Sequence, residues 1–217
     1  TIISGSTDAT VAIWYDQSGN GVHVLSSSAT AKIITAGSLL TMSGQPTINF
    51  IGNTSYLTSS TTVNYSSQSN ATVNAVAQDV ASTNYISGIL TTGDNGGWGL
   101  CYDPTTTIKG YWVDASGGNG ALSNELTTDV KVVTGFIGTA TNSSIYINSI
   151  QKGTKSAQAI SNGTNDKIYI GTRGNFSGRQ FIGNISEVFL FPTNLSSTDQ
   201  STLESSQSIF IPPVVTI

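Results

Sequence analysis

Charge is what this sequence has least of. Asp, Glu, Lys and Arg make up 9% of its 217 residues, where ordinary globular domains carry roughly 25%. Lys152 and Lys155 are the nearest approach to a basic cluster, and the formal net charge is −4. A nucleic-acid surface needs a stripe of Lys and Arg to neutralise phosphates, so no nucleic-acid partner is expected. No apolar run reaches the ~18 residues of a spanning helix, so no membrane span is expected either.

Cysteine, histidine and carboxylates are also scarce. The lone Cys101 excludes an intrachain disulfide, and within Trp98-Gly99-Leu100-Cys101-Tyr102 it reads as a small buried hydrophobe on a strand. A catalytic thiol needs a base beside it, and the only histidine, His23, lies far off in sequence. Glycoside hydrolysis needs two carboxylates about 5–9.5 Å apart, sometimes set as alternating acids on one strand. Glu125, Glu187 and Glu204 have no acid two residues away, and Asp94, Asp103 and Asp114 are scattered. The chain is therefore expected not to be an enzyme. Its start, Thr1-Ile2-Ile3-Ser4, is neither an initiator methionine nor a signal peptide, which suggests a trimmed chain or a segment of a longer one.

What is present is strand signal. Hydrophobic residues are 37% of the chain, arranged in β-rich runs at Val11–Tyr15, Thr47–Ile51, Ala71–Val80, Tyr85–Thr91, Trp98–Tyr102 and Ile108–Val113. Further runs fall at Lys131–Gly138, Ser144–Asn148, Lys167–Gly171 and Phe181–Phe191. Turn clusters rich in Gly, Asn and Asp separate them, for instance Asp16–Gly21, Gly93–Gly97, Ala115–Gly120 and Ser161–Asp166. Such a chain folds as a two-sheet sandwich. One short helix is expected at Ser196–Ser206, capped by Ser196 or Ser197 with Asp199 or Gln200. Leu195, Leu203 and Ile209 are expected to seat it. Ile211-Pro212-Pro213-Val214 then reads as an extended linker, dividing the chain into a domain at 1–210 and a tail at 211–217, with a neighbouring module expected beyond.

The run Trp14-Tyr15-Asp16-Gln17-Ser18-Gly19-Asn20-Gly21 resembles the opening of laminin-G-like modules of bacterial-type surface proteins. Later pieces fall in that family's order: Gln45-Pro46 before Ile48-Asn49-Phe50, Val73-Asn74-Ala75-Val76, Ser144-Ile145-Tyr146-Ile147-Asn148, Ile168-Tyr169-Ile170-Gly171, and Phe181-Ile182-Gly183-Asn184-Ile185-Ser186-Glu187-Val188. Two turns depart from the pattern, Ile51-Gly52 in place of Asp-Gly and Asn148-Ser149 in place of Asn-Gly. The resemblance implies an all-β, concanavalin A-like antiparallel jelly roll with a concave face. It also implies service as a carbohydrate-binding or adhesion module, or as an accessory domain, and Glu187 as a structural position. Fold alone does not choose among these functions.

Two site readings follow. Asp16, Ser18 and Asn20, with Gly21, match the first half of a calcium loop. The twelfth position is Ser27, so a calcium ion would need backbone carbonyls and a distant acid such as Glu187 or Asp166. The alternative is a turn whose side chains cap backbone amides. Trp98, Tyr102, Tyr111 and Trp112 lie on two runs that can share one face of the inner sheet and stack on sugar rings. Asp94, Asn95, Asp114 and Asn119 would then supply hydrogen bonds from rimming loops. The competing reading has these aromatics filling the core or covering an edge. Trp14 is expected in the core. The sequons, Asn184 among them, are read as composition.

The functional expectation is a non-catalytic extracellular module, at a cell or virion surface, binding a glycan or another surface ligand. Its rival is a structural spacer that packs against copies of itself or neighbouring modules.

Overall fold

In a computed structural model the described residues are 7–26, 30–52, 54–64, 69–80, 87–93, 98–103, 110–114, 120–125, 128–138, 142–156, 166–174 and 178–211. The chain runs through β1 (Ala9–Thr10), β2 (Ile13–Trp14), β3 (Val24–Ser26), β4 (Lys32–Thr35), β5 (Ser38–Leu39) and β6 (Thr41–Met42). Next come β7 (Gln45–Pro46), β8 (Ile48–Ile51), β9 (Leu57–Ser59), β10 (Asn70–Asp79), β11 (Ser87–Thr92) and β12 (Gly99–Asp103). The last strands are β13 (Gly110–Asp114), β14 (Lys131–Gly138), β15 (Ser143–Ile147), β16 (Ile150–Lys155), β17 (Ile168–Ile170) and β18 (Ile182–Phe191). Helix α1 (Ser197–Ser206) and a 3-10 turn, Gln207–Phe210, close the described chain. None of the described helices is long and apolar enough to cross a membrane.

These strands form an all-β, two-sheet jelly-roll sandwich in which the named strands pair antiparallel. One sheet has the order β1-β4-β8-β18-β10-β14-β15-β16, with β5 paired to β4, and the other the order β13-β12-β11-β17-β9-β3-β2. Side chains alternate across a strand. Ala71, Val73, Ala75 and Ala77 of β10 thus face inward, where they join Phe50, Leu57, Leu100, Tyr111, Ile145, Phe181 and Ile185 in one core.

The turns explain the two departures from the family pattern. Asn148 and Ser149 both take positive φ, 48° and 67°, as a two-residue hairpin between β15 and β16 requires. Asn148 holds that turn by donating its N–H to the Val132 carbonyl at 2.8 Å and accepting the Val132 N–H on Oδ1 at 3.0 Å. At Ile51-Gly52 the glycine remains where the chain needs φ +78°.

The helix begins where expected, but a different set of residues seats it. Ser196 Oγ accepts from the Asp199 N–H at 3.1 Å and donates to Asp199 Oδ2 at 2.7 Å. Ile209 is exposed and Leu203 half-buried, whereas Glu204, Gln207 and Phe210 are buried. Phe210 packs with Met42, Val76, Val130 and Val132 on the outer face of the larger sheet. Gln207 and Asn74 exchange reciprocal amide hydrogen bonds at 2.8 and 3.1 Å. Thr134 Oγ1 donates to Glu204 Oε1 at 2.6 Å, and Gln207 Nε2 also reaches Glu187 Oε2 at 3.1 Å. The expected apolar seat at Leu203 and Ile209 is therefore corrected. Asn74 and Thr134 point outward from β10 and β14, so the surface offered to the helix is polar and needs polar partners.

Candidate functional site

The aromatic platform expected from the sequence does not form. Trp98, Tyr102, Tyr111 and Trp112 are 0, 3, 0 and 1% exposed. Tyr111 and Trp112 are consecutive on β13, so pleating sends them to opposite faces. Tyr111 turns into the core beside its cross-strand partner Tyr102, ring centroids 4.9 Å apart, in the cluster that also holds Trp98. Burial pushes the Tyr111 phenol well above the usual tyrosine range, reinforced by the nearby Tyr102. Trp112 lies on the other face, opposite the buried Cys101, and the Arg173 guanidinium sits 5.5 Å above its ring. Asp94, Asn95 and Asn119 lie outside the described residues, as does the side chain of Asp114.

The Asp16 turn is closed on itself. Asp16 Oδ1 accepts the Ser18 N–H at 2.8 Å and Oδ2 the Val22 N–H at 3.0 Å. Ser18 Oγ accepts from Asn20 Nδ2 at 2.9 Å, and the Asp16 N–H donates to His23 Nδ1 at 3.2 Å. The Ser18 side chain, and then the backbone amides of Ser18, Val22 and Gly21, hold the Asp16 carboxyl below its ordinary range against partial desolvation. Glu187, one of the distant acids a calcium ion would need, instead accepts from Gln207. Among the described residues no group of three or more His, Cys, Asp and Glu could hold a metal ion. Asn184 is likewise engaged, accepting from Asn49 Nδ2 at 3.0 Å and donating to Gln78 Oε1 at 3.1 Å.

The candidate site lies just before this turn, at an edge of the sandwich. β1 pairs with β4 in one sheet and β2 with β3 in the other. Val11 and Ala12 therefore carry the chain across between sheets, tied by the Val11 N–H to the Ala31 carbonyl and by the Ser26 N–H to the Ala12 carbonyl. The crossing leaves a groove of about 520 Å³ lined by residues 10–15, Ile33, Pro46, Thr47, Ile48 and Ser186. Trp14 is half-buried, with one side against the core. Tyr15 is 57% exposed, its ring edge-on to His23 at 5.1 Å. The hydroxyl oxygens of Thr47 and Ser186 are buried and make no hydrogen bond. They share that state with the hydroxyls of Ser55, Thr58, Ser143 and Thr172 elsewhere in the sandwich.

Sequence reasoning placed Trp14 in the core and missed the groove. One signal was available: Ile13, Trp14 and Tyr15 are consecutive, so in an extended chain they cannot all point inward. Thr47 and Ser186 carried no signal, because they meet only in the fold.

An all-β sandwich with an open edge groove thus defines the molecule, and solved structures of that architecture resemble it. Trypanosoma rangeli sialidase, solved with 2,3-difluoro-KDN, matches with a TM-score of 0.65 at 15% identity, over 97% of this chain and 34% of that one. The botulinum neurotoxin serotype D ligand-binding domain in complex with N-acetylneuraminic acid matches with a TM-score of 0.60 at 16% identity, over 94% of this chain and 51% of that one. The serotype G binding domain matches with a TM-score of 0.57 at 16% identity, over 89% and 48%. The chain thus spans 34% of the sialidase and about half of each toxin domain. No family model matches the chain, and no curated protein matches it by sequence.

Proposed function

We propose that the domain is a non-catalytic binding module that holds a carbohydrate, or a surface ligand of similar chemistry, in the Trp14–Tyr15 groove, as part of a larger extracellular or virion-surface protein. The observation that carries this reading is the make-up of the groove, where the rings of Trp14 and the exposed Tyr15 line a cleft whose other side chains are uncharged. A sugar presents an apolar ring face, which such rings complement. The likeness in fold to part of chains solved with sialic acid supports the reading, as does the resemblance to laminin-G-like modules. The lining includes no Asp, Glu, His or Cys, so the groove offers no carboxylate pair of the kind glycoside hydrolysis uses. A single such module binds weakly, and repetition in a larger assembly raises its avidity.

A glycan-array screen, run in calcium and in chelator, tests this. Retention of at least one glycan is expected, lost in Tyr15→Ala, with no new reducing ends. Equal retention with and without calcium is expected, because both Asp16 oxygens already accept turn amides. Undiminished retention by Tyr15→Ala would remove the groove from the account, and release of reducing sugar would overturn the non-catalytic part.

A second reading, packing between copies, is favoured by one other feature. Ile13 and Leu25 are register partners at the β2 edge of the smaller sheet and are 39 and 37% exposed. Self-association in sedimentation that Leu25→Ser abolishes, with no glycan retained, would make the domain a structural unit.

A further inference from the structure

Resting on the carbohydrate reading above, we infer that the groove selects an uncharged pyranose unit and discriminates against acidic sugars such as sialic acids and uronic acids. The lining side chains carry no formal charge. The charges adjoining the lining residues in sequence offer an anion nothing. Lys32, next to Ile33, is engaged with Asp8 at 2.6 Å. Asp16, next to Tyr15, is kept ionised by its turn, and Glu187, next to Ser186, is an acid bonded to Gln207. His23, against the Tyr15 ring, has its Nδ1 already engaged by the Asp16 N–H. A carboxylate brought into this groove would lose hydration without gaining a cation, against the field of a chain with net charge −4. A neutral ring meets the opposite situation. Its apolar face finds Trp14 and Tyr15, while its hydroxyls stay at the open rim and keep their hydration. The solved chains that resemble this one over part of their length include ones in complex with sialic acid. The inference therefore separates this groove's chemistry from the ligand those complexes contain.

The test is a titration of the isotope-labelled domain followed by amide NMR shifts around residues 10–15, Thr47 and Ser186. The probes are neutral gluco-, galacto- and manno-oligosaccharides, sialyllactose and an oligogalacturonate. Neutral sugars are expected to shift the groove amides, with an affinity unchanged between low and high salt. The acidic probes should bind roughly tenfold or more weakly. Tyr15→Ala removes an exposed ring. It should keep the parent melting temperature while weakening the neutral sugar by about tenfold or more, and unchanged affinity would count against the ring's part. Sialyllactose or oligogalacturonate shifting the same amides at equal or lower concentration would overturn the charge inference and leave the carbohydrate reading standing. Groove amides that respond to none of the probes would overturn both.

Discussion

The middle of the larger sheet and the edge that carries the groove use similar residues and end in opposite states. In the middle, β10 lies between β14 and β18, and every residue from Ala71 to Ala77 is buried. Its inward side chains meet the smaller sheet. Its outward ones are covered by the closing helix, where Asn74 finds Gln207 and Thr134 finds Glu204. At the edge, two-residue strands carry the chain between sheets, leaving Tyr15 largely in solvent. A long strand paired on both sides has its side chains covered on both faces, whereas a short crossing strand leaves a ring open to whatever the groove holds. The difference separates the part of the molecule that holds the fold from the part that can recognise a ligand.

Removing an aromatic ring from each region should break the two apart most widely. Phe50 is fully buried, and Phe50→Ala should cost about 3–5 kcal/mol. That is a fall in melting temperature on the order of 6–20 °C by calorimetry for a chain of this size. Tyr15→Ala should stay within about 2 °C of the parent while losing the ligand. A large loss in Tyr15→Ala would make the edge part of the core and end the contrast.

The next effect lies under the helix. Gln207→Ala leaves the buried Asn74 Oδ1 without its partner while Nδ2 keeps Thr134, and about 1–3 kcal/mol should be lost in urea denaturation. Asn74→Leu combined with Gln207→Leu should recover much of that, since deleting both partners leaves neither amide unpaired. Additive losses in that cycle would mean that the network does not bind the helix to the sheet.

The smallest effect should come from the turn beside the groove. Asp16→Ala should cost about 1–2 kcal/mol, because its bonds to Ser18 and Val22 are partly exposed. The corresponding shift is about 2–8 °C, the same with and without chelator. The folded-state pKa of Asp16 is lowered, so its contribution is fully present above the unfolded value of about 3.9. It disappears as pH falls through the folded value. Parent and variant should therefore converge below about pH 4, and a gap that persists at lower pH would show that the carboxylate's charge is not what the turn uses.

Much of the architecture could be read before the structure. The run Ala71–Val80 appears as β10 at Asn70–Asp79, Phe181–Phe191 as β18 at Ile182–Phe191, and Ser196 caps the helix. Long strands show themselves because apolar alternation repeats over many residues. Strands such as β1, β2 and β7 have two residues each, too few for any period to register, and all three line the groove. The aromatic four misled for a related reason. Their composition suggested a sugar platform, but the one-residue step from Tyr111 to Trp112 divides them between faces. The Asp16 turn was legible down to its acceptor, because an Asp two residues before a Ser and near a Gly closes locally whatever the rest of the chain does.

The crossing at Val11 and Ala12 has one more consequence, for how the domain opens. Its two backbone bonds, Val11 N–H to Ala31 and Ser26 N–H to Ala12, join the two-residue pairings of β1 with β4 and β2 with β3 in fastening the first strands to different sheets. Amide protons there should exchange with solvent through local opening, long before those of β10 and β14, which are released only when the sandwich unfolds. A ligand that spans the groove binds the closed form and slows that opening in proportion to its occupancy. The exchange rate of the Val11 amide would then serve as a clock for the bound fraction, readable without any change in the global unfolding midpoint.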